Sequence, residues 1–137
     1  MPYKFFDHTA DVLFEATGKT LEELFESSAL AVTNTMVETL RTVKPKIKKI
    51  IKIKGDDTEN LLFNFLQEII FLKDAEQLLL TKFNIKIIDN NLTAEAHGEK
   101  LNMKKHELIV DVKAVTMHEF YVKKEKNKWK ARVILDI

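Results

Sequence analysis

The sequence predicts an α+β fold, with two helices packed on mostly antiparallel β-sheet in a single domain spanning 1–137. Three observations predict it. Segments 20–37 and 58–75 carry apolar residues at helical spacing, whereas 82–87, 92–97 and 129–137 alternate apolar and polar residues with a period of two. The resulting order is strands, helix, strand, helix, then a run of strands, which is not the regular alternation of a parallel βαβ protein. At 137 residues, 45% of them apolar, the chain is long enough to build one core.

The elements follow in order. Residues 3–7 and 12–17 form two short strands on either side of an acidic stretch, and Gly18-Lys19 marks a turn. Thr20-Leu21-Glu22-Glu23 has the form of a capping box, which starts the first helix. Leu21, Leu24, Phe25, Ala29, Val32 and Met36 then make its core-facing stripe. In strand 46–54, Ile47, Lys49, Ile51 and Ile53 share one face; Lys46, Lys48, Ile50, Lys52 and Lys54 share the other. Such a lysine row blunts an exposed sheet edge, and nucleic-acid contact is the sharper alternative. Gly55-Asp56-Asp57 breaks that strand and caps the second helix, whose broad apolar face is Leu61, Leu62, Phe65, Leu66, Ile69 and Ile70.

Asp89-Asn90-Asn91 is a turn between two alternating strands, and Gly98-Glu99 is read as another turn, flanked by His97 and His106. The nearly unbroken apolar run within 107–117 predicts a long, mostly buried strand. Segments 118–124 and 129–137 then form a hairpin across Glu125-Lys126-Asn127-Lys128.

Composition narrows the function classes. No stretch approaches the ~18 apolar residues of a membrane span. The N-terminus lacks the plan of a signal peptide, which points to the cytoplasm. The absence of cysteine removes disulfides and thiolate metal sites. A net charge of +1 argues against the whole molecule being a polyanion-binding body, although lysines gather in 44–54 and 123–132. There is no Gly-rich phosphate loop or His-Glu-x-x-His pair, and the only serines, Ser27 and Ser28, fall within the first helix. Familiar hydrolytic chemistry is disfavoured.

Acidic groups remain. Asp7, Asp11, Asp136 and the Ile137 carboxylate are hard oxygen donors suited to Mg²⁺, Mn²⁺ or Ca²⁺, provided that the two ends of the chain meet. A cation between like-charged carboxylates relieves their repulsion. Turn-capping acids are the commoner explanation, and spacing alone favours it over a metal site. His8 lies inside the acidic stretch, and His118 is placed to face the same site.

Several blocks, in order and spanning nearly the whole chain, resemble the archease family. They are Asp7-His8-Thr9-Ala10-Asp11, the stretch from Gly18 to Phe25, Gly55-Asp56-Asp57, the stretch from Leu61 to Leu66, Gly98-Glu99, His106, Val112 to Thr116, His118 and the closing Asp136-Ile137. Met117 departs from the aromatic residue that often precedes that histidine. The resemblance implies an archease-like fold and a non-enzymatic activator of the RtcB-type RNA ligase of tRNA splicing. That ligase joins 2′,3′-cyclic-phosphate or 3′-phosphate RNA ends to 5′-hydroxyl ends using GTP and Mn²⁺. The activator speeds ligase guanylylation and sustains multiple turnover, so that RNA is met through the ligase. The resemblance also implies a metal site at Asp11, Asp136 and Ile137; it assigns no role to Lys113 or His118, and Asp7, His8 and His118 are surrounding candidates on the residues alone. Other classes compatible with the residues are an RNA-binding module using the lysine-rich strands, a metal-dependent phosphoryl-transfer enzyme, and a general chaperone.

Overall fold

The computed structural model describes residues 2–8 and 10–137; Met1 and Thr9, the latter within the acidic stretch, lie outside the described residues. The chain folds as β1 (Tyr3–Phe6), β2 (Val12–Gly18), α1 (Leu21–Met36), β3 (Ile47–Lys54), α2 (Thr58–Glu76), β4 (Leu78–Ile88), β5 (Asn91–Lys100), β6 (Ala114–Glu125) and β7 (Lys128–Asp136). A four-stranded sheet has the order β1-β2-β7-β6 and a three-stranded sheet the order β3-β5-β4, with every pairing antiparallel. Each helix touches strands of both sheets, so the helices form a layer between them. The α+β expectation holds. No helix among the described residues is long and apolar enough to cross a membrane.

Local chemistry explains the helix starts. Thr20 Oγ1 accepts the Glu23 backbone N–H at 3.1 Å, and Glu23 returns by accepting the Lys19 N–H at 2.8 Å. Asp57 caps α2 by accepting the Asn60 N–H at 2.8 Å. The helix stops at Gln77, in the left-handed region at φ 54°.

Lying between two sheets, α1 is buried nearly all round, including Ser27, Ser28, Thr33 and Thr35. Its buried hydroxyls therefore need partners. Ser28 and Thr35 donate to the carbonyls one turn back, and Thr33 reaches across to the Leu80 carbonyl of β4 at 2.8 Å. The core is joined through stacked Phe25 and Phe65 and the edge-on contact of Phe65 with Phe83. Each such fully buried ring stabilises the fold by roughly 1.5–3 kcal/mol.

The edges are managed differently. β3 presents its lysine row, as anticipated. Along the edge strand β6, two N–H groups find side chains of α2: Val115 donates to Gln67 and Val122 to Glu59.

Three expectations need correction. Residues 107–113 are not a buried strand; they run past the C-terminal end of α1, where the Ile109 N–H donates to the Met36 carbonyl and Glu107 accepts from Glu38. Hydrogen bonded to a helix end rather than entered into a ladder, this segment leaves Leu108, Ile109 and Val110 exposed while Val112 remains buried. Second, 114–125 is one strand, with its pairing interrupted between Thr116 and Tyr121, where Glu119 adopts φ 53°. Third, Gly98-Glu99 is not a turn but part of β5. There Gly98 lets the β4 backbone approach so closely that a Cβ would lie 1.7 Å from the Leu79 carbonyl oxygen.

Candidate functional site

The two chain ends meet. β2 begins at Val12, paired with Leu135 of β7, so the loop carrying 7–11 and the end of β7 lie at one end of the two central strands of the four-stranded sheet. Asp11 comes just before that pair and Asp136 just after it, so the register brings both to this end of the sheet. The Asp136 backbone is held from the other side, where its carbonyl accepts the Lys113 N–H at 2.8 Å, while its side chain is exposed. Ile137 is half-buried and packs against the core, which fixes the last residue in place.

An open cavity of about 360 Å³ occupies this end. Asp7, His8, Asp11 and Ile137 line it, with Asn34 and Thr35 from α1 at its base. Across the loop, His8 Nδ1 is paired with Asp11 Oδ1. The remaining lining is apolar, and much of it faces solvent: Phe5 and Phe6 from β1, with Ile109 and Val110 from the segment after β5. Phe5 is 41% exposed and Ile109 52%, so apolar surface is gathered at this end of the molecule. The result is an acidic hollow with an apolar rim.

Of the residues singled out by sequence, Asp7, His8, Asp11 and Ile137 thus share one cavity. Asp136 adjoins it without lining it. His118 stands apart on the irregular part of β6, mostly exposed, with Nε2 3.5 Å from Glu119. Met117 beside it is exposed, so its departure from the aromatic pattern costs no core packing. Among the described residues no three Asp, Glu, His or Cys side chains gather into a metal-binding group. Asp7 and Asp11, the two aspartates that line the cavity, are hard-oxygen donors of the kind divalent cations take. Sequence reasoning missed the rim, because the run Leu108-Ile109-Val110 reads equally well as core.

A second polar cluster was also unforeseen. Glu99, at the end of β5, is buried, as is His106. Glu99 accepts from the Lys44 backbone N–H at 2.6 Å and from Lys105 Nζ, and lies 3.1 Å from His106 Nε2. His106 Nδ1 accepts the Asn102 N–H at 2.9 Å, leaving Nε2 as the proton-bearing nitrogen that donates to Glu99. Burial alone would push the Glu99 carboxyl up; Lys105, the Lys44 N–H and His106 outweigh it and hold the pKa at about 2. The cluster ties the loop after β5 to the segment before β3.

Comparison with known proteins places these features in context. A model of the archease protein family matches residues 3–137. The protein archease of Sulfolobus acidocaldarius is 40% identical over 137 residues, covering 98% of both chains. That of Pyrococcus furiosus is 36% identical over 140 residues, again with 98% of each chain covered. The solution structure of protein 1598 of Methanobacterium thermoautotrophicum superposes with a TM-score of 0.84 at 38% identity, over 99% of both chains. The crystal structure of a Thermotoga maritima protein, described as an archease and possible chaperone, shares the fold with a TM-score of 0.67 at 23% identity, over 98% of this chain and 96% of that one.

Proposed function

The chain belongs to the archease family, and we propose that it is a non-enzymatic activator of an RtcB-type RNA ligase in tRNA splicing. In this reading it promotes ligase guanylylation and multiple turnover through the acidic end of the molecule. The observation that carries the reading is the convergence of Asp7, His8, Asp11 and Ile137, from opposite ends of the chain, in one open cavity. Exposed Phe5, Phe6, Ile109 and Val110 around it supply the apolar contact area that protein interfaces use. The acids favour docking beside cationic or metal-bearing groups, such as those of a ligase that uses GTP and Mn²⁺. Asp11, Asp136 and the Ile137 carboxylate are the residues that would hold a divalent cation of this protein's own. When bound, that ion supplies charge neutralisation between the carboxylates. The chain's own contribution is positional: the antiparallel pairing of β2 with β7 brings the segment before β2 and the end of β7 to one end of the sheet, and Ile137 packs against the core. A protein that favours one ligase geometry needs only to bind that geometry better than the others.

Multiple-turnover ligation with the ligase limiting tests the proposal. Wild-type protein in trace amounts restores turnover, and Asp11→Ala does not. Unchanged ligation with both proteins would overturn the reading.

A further inference from the structure

The outer face of the three-stranded sheet plays no part in the site above. Its registers place Lys48 of β3 and Lys82 of β4 on either side of His97 of β5, and Lys52 and Lys86 on either side of Thr93. Between these rungs lies Ile50–Glu95–Asn84, and beyond them Lys54–Asn91–Ile88. The four ammonium groups of the two lysine rungs stem from corners about 10 Å apart across the strands and about 13 Å along them. Five lysines therefore meet one carboxylate, Glu95, which is itself directed at His97 (Nε2 to Oε1, 3.6 Å). The whole chain carries only +1, so positive charge is segregated onto this sheet.

These lysines are also free. Among the described residues none of the five forms an ion pair, and all five are exposed. The lysine-rich hairpin of the other sheet differs. There Lys130 and Arg132 are bound to Glu15 at 3.4 and 3.0 Å, Arg132 also to Glu119, and Lys123 to Glu125. Lys123 and Lys124 further lie over the rings of Tyr121 and Trp129. The two lysine-rich segments thus belong to different sheets, and the partner of the β3 row is β4.

We infer that the outer face of β3-β5-β4 binds RNA through its phosphate backbone, with Lys48, Lys52, Lys82 and Lys86 as the contacting cations. An open, regularly spaced cationic surface suits a polymer with regularly spaced anions. No aromatic side chain lies on these rungs to stack on bases, so the contact is sequence-tolerant. A membrane surface fits less well, because Ile50 and Ile88 stand singly rather than forming an insertable apolar face. The inference does not rest on the ligase reading.

Fluorescence anisotropy of a short labelled RNA with the isolated protein tests it without ligase. Engagement of about four phosphates predicts affinity falling about 50-fold between about 50 and about 200 mM salt. The fourfold variant K48Q/K52Q/K82Q/K86Q, unchanged in melting temperature, loses most of the affinity and most of the salt slope. K123Q/K124Q, on the other sheet, retains both. Absence of RNA binding at the lower salt overturns the inference, as does a fourfold variant that binds like wild type. Equal loss in K123Q/K124Q would move the site to the other sheet, and binding to phosphatidylserine vesicles but not RNA would assign the face to membranes; either result also overturns it.

Discussion

His106 Nε2 donates to Glu99 Oε2 across 3.1 Å in a buried contact that joins the loop after β5 to the end of that strand. The same carboxylate receives the Lys44 N–H and the Lys105 ammonium, so one side chain satisfies three donors from two segments. Glu99→Ala leaves the imidazole and the Lys44 N–H without their acceptor. We expect a loss of about 2–4 kcal/mol in a denaturant titration. A loss below about 0.5 kcal/mol would mean that water replaces the carboxylate at little cost.

The same network predicts an acid limb in the stability curve. The Glu99 pKa is about 2 in the folded protein against an ordinary value of 4.5. A carboxyl depressed by folding stabilises the native state fully above its unfolded value and loses that contribution as pH falls toward its folded one. Stability should therefore decline between pH 4.5 and about 2, and Glu99→Gln should flatten that part of the curve. Melting temperatures at stepped pH for both proteins read this directly. Identical acid limbs would assign the decline to other carboxylates.

Gly98 should tolerate no side chain. A Cβ there meets backbone atoms of β4, the Leu79 carbonyl oxygen at 1.7 Å, and backbone cannot swing aside as a flexible side chain can. Gly98→Ala should lower stability by about 1–3 kcal/mol or prevent folding, seen as a melting temperature lower by several degrees. A variant as stable as wild type would show that the β4 irregularity relaxes.

Much of this architecture was legible in the sequence, and the gaps have physical causes. Helix starts at Thr20 and Asp57 were readable because capping is local: the oxygen and the N–H it accepts lie three residues apart. The apolar faces of both helices were visible through their period, but not that α1 is buried on both sides, since sandwiching between two sheets is a property of the assembly. Residues 107–113 misled because a continuous apolar run specifies neither period nor burial. Gly98 misled because close backbone approach and turn formation both select glycine. At the site, the meeting of the two chain ends was a condition that the chemistry of the acids raised and their spacing did not favour, whereas the rim of Phe5, Phe6, Ile109 and Val110 depended on tertiary placement.

Thr33 links the helix layer to β4 by donating to the Leu80 carbonyl at 2.8 Å, next to the register shift between Leu80 and Lys82. Thr33→Val keeps the volume and removes the donor, leaving a buried carbonyl with one partner fewer. The expected cost is about 1–2 kcal/mol. If Leu80 re-forms regular pairing instead, hydrogen exchange at β4 will slow rather than quicken.

The acidic end should separate function from stability. The Asp136 side chain is exposed, so Asp136→Ala should change stability by no more than about 0.5 kcal/mol. Under the proposed function the same change abolishes stimulation of the ligase, as does any residue appended after Ile137, which displaces the terminal carboxylate while leaving the Lys113–Asp136 backbone bond in place. Ligation assays and melting curves on the same preparations make the comparison. A C-terminally extended protein with full stimulation would remove the carboxylate from the site. A large fall in melting temperature for Asp136→Ala would instead give that aspartate a structural role. Stimulation lost at unchanged melting temperature is the result that the geometry of β2 and β7 leads us to expect.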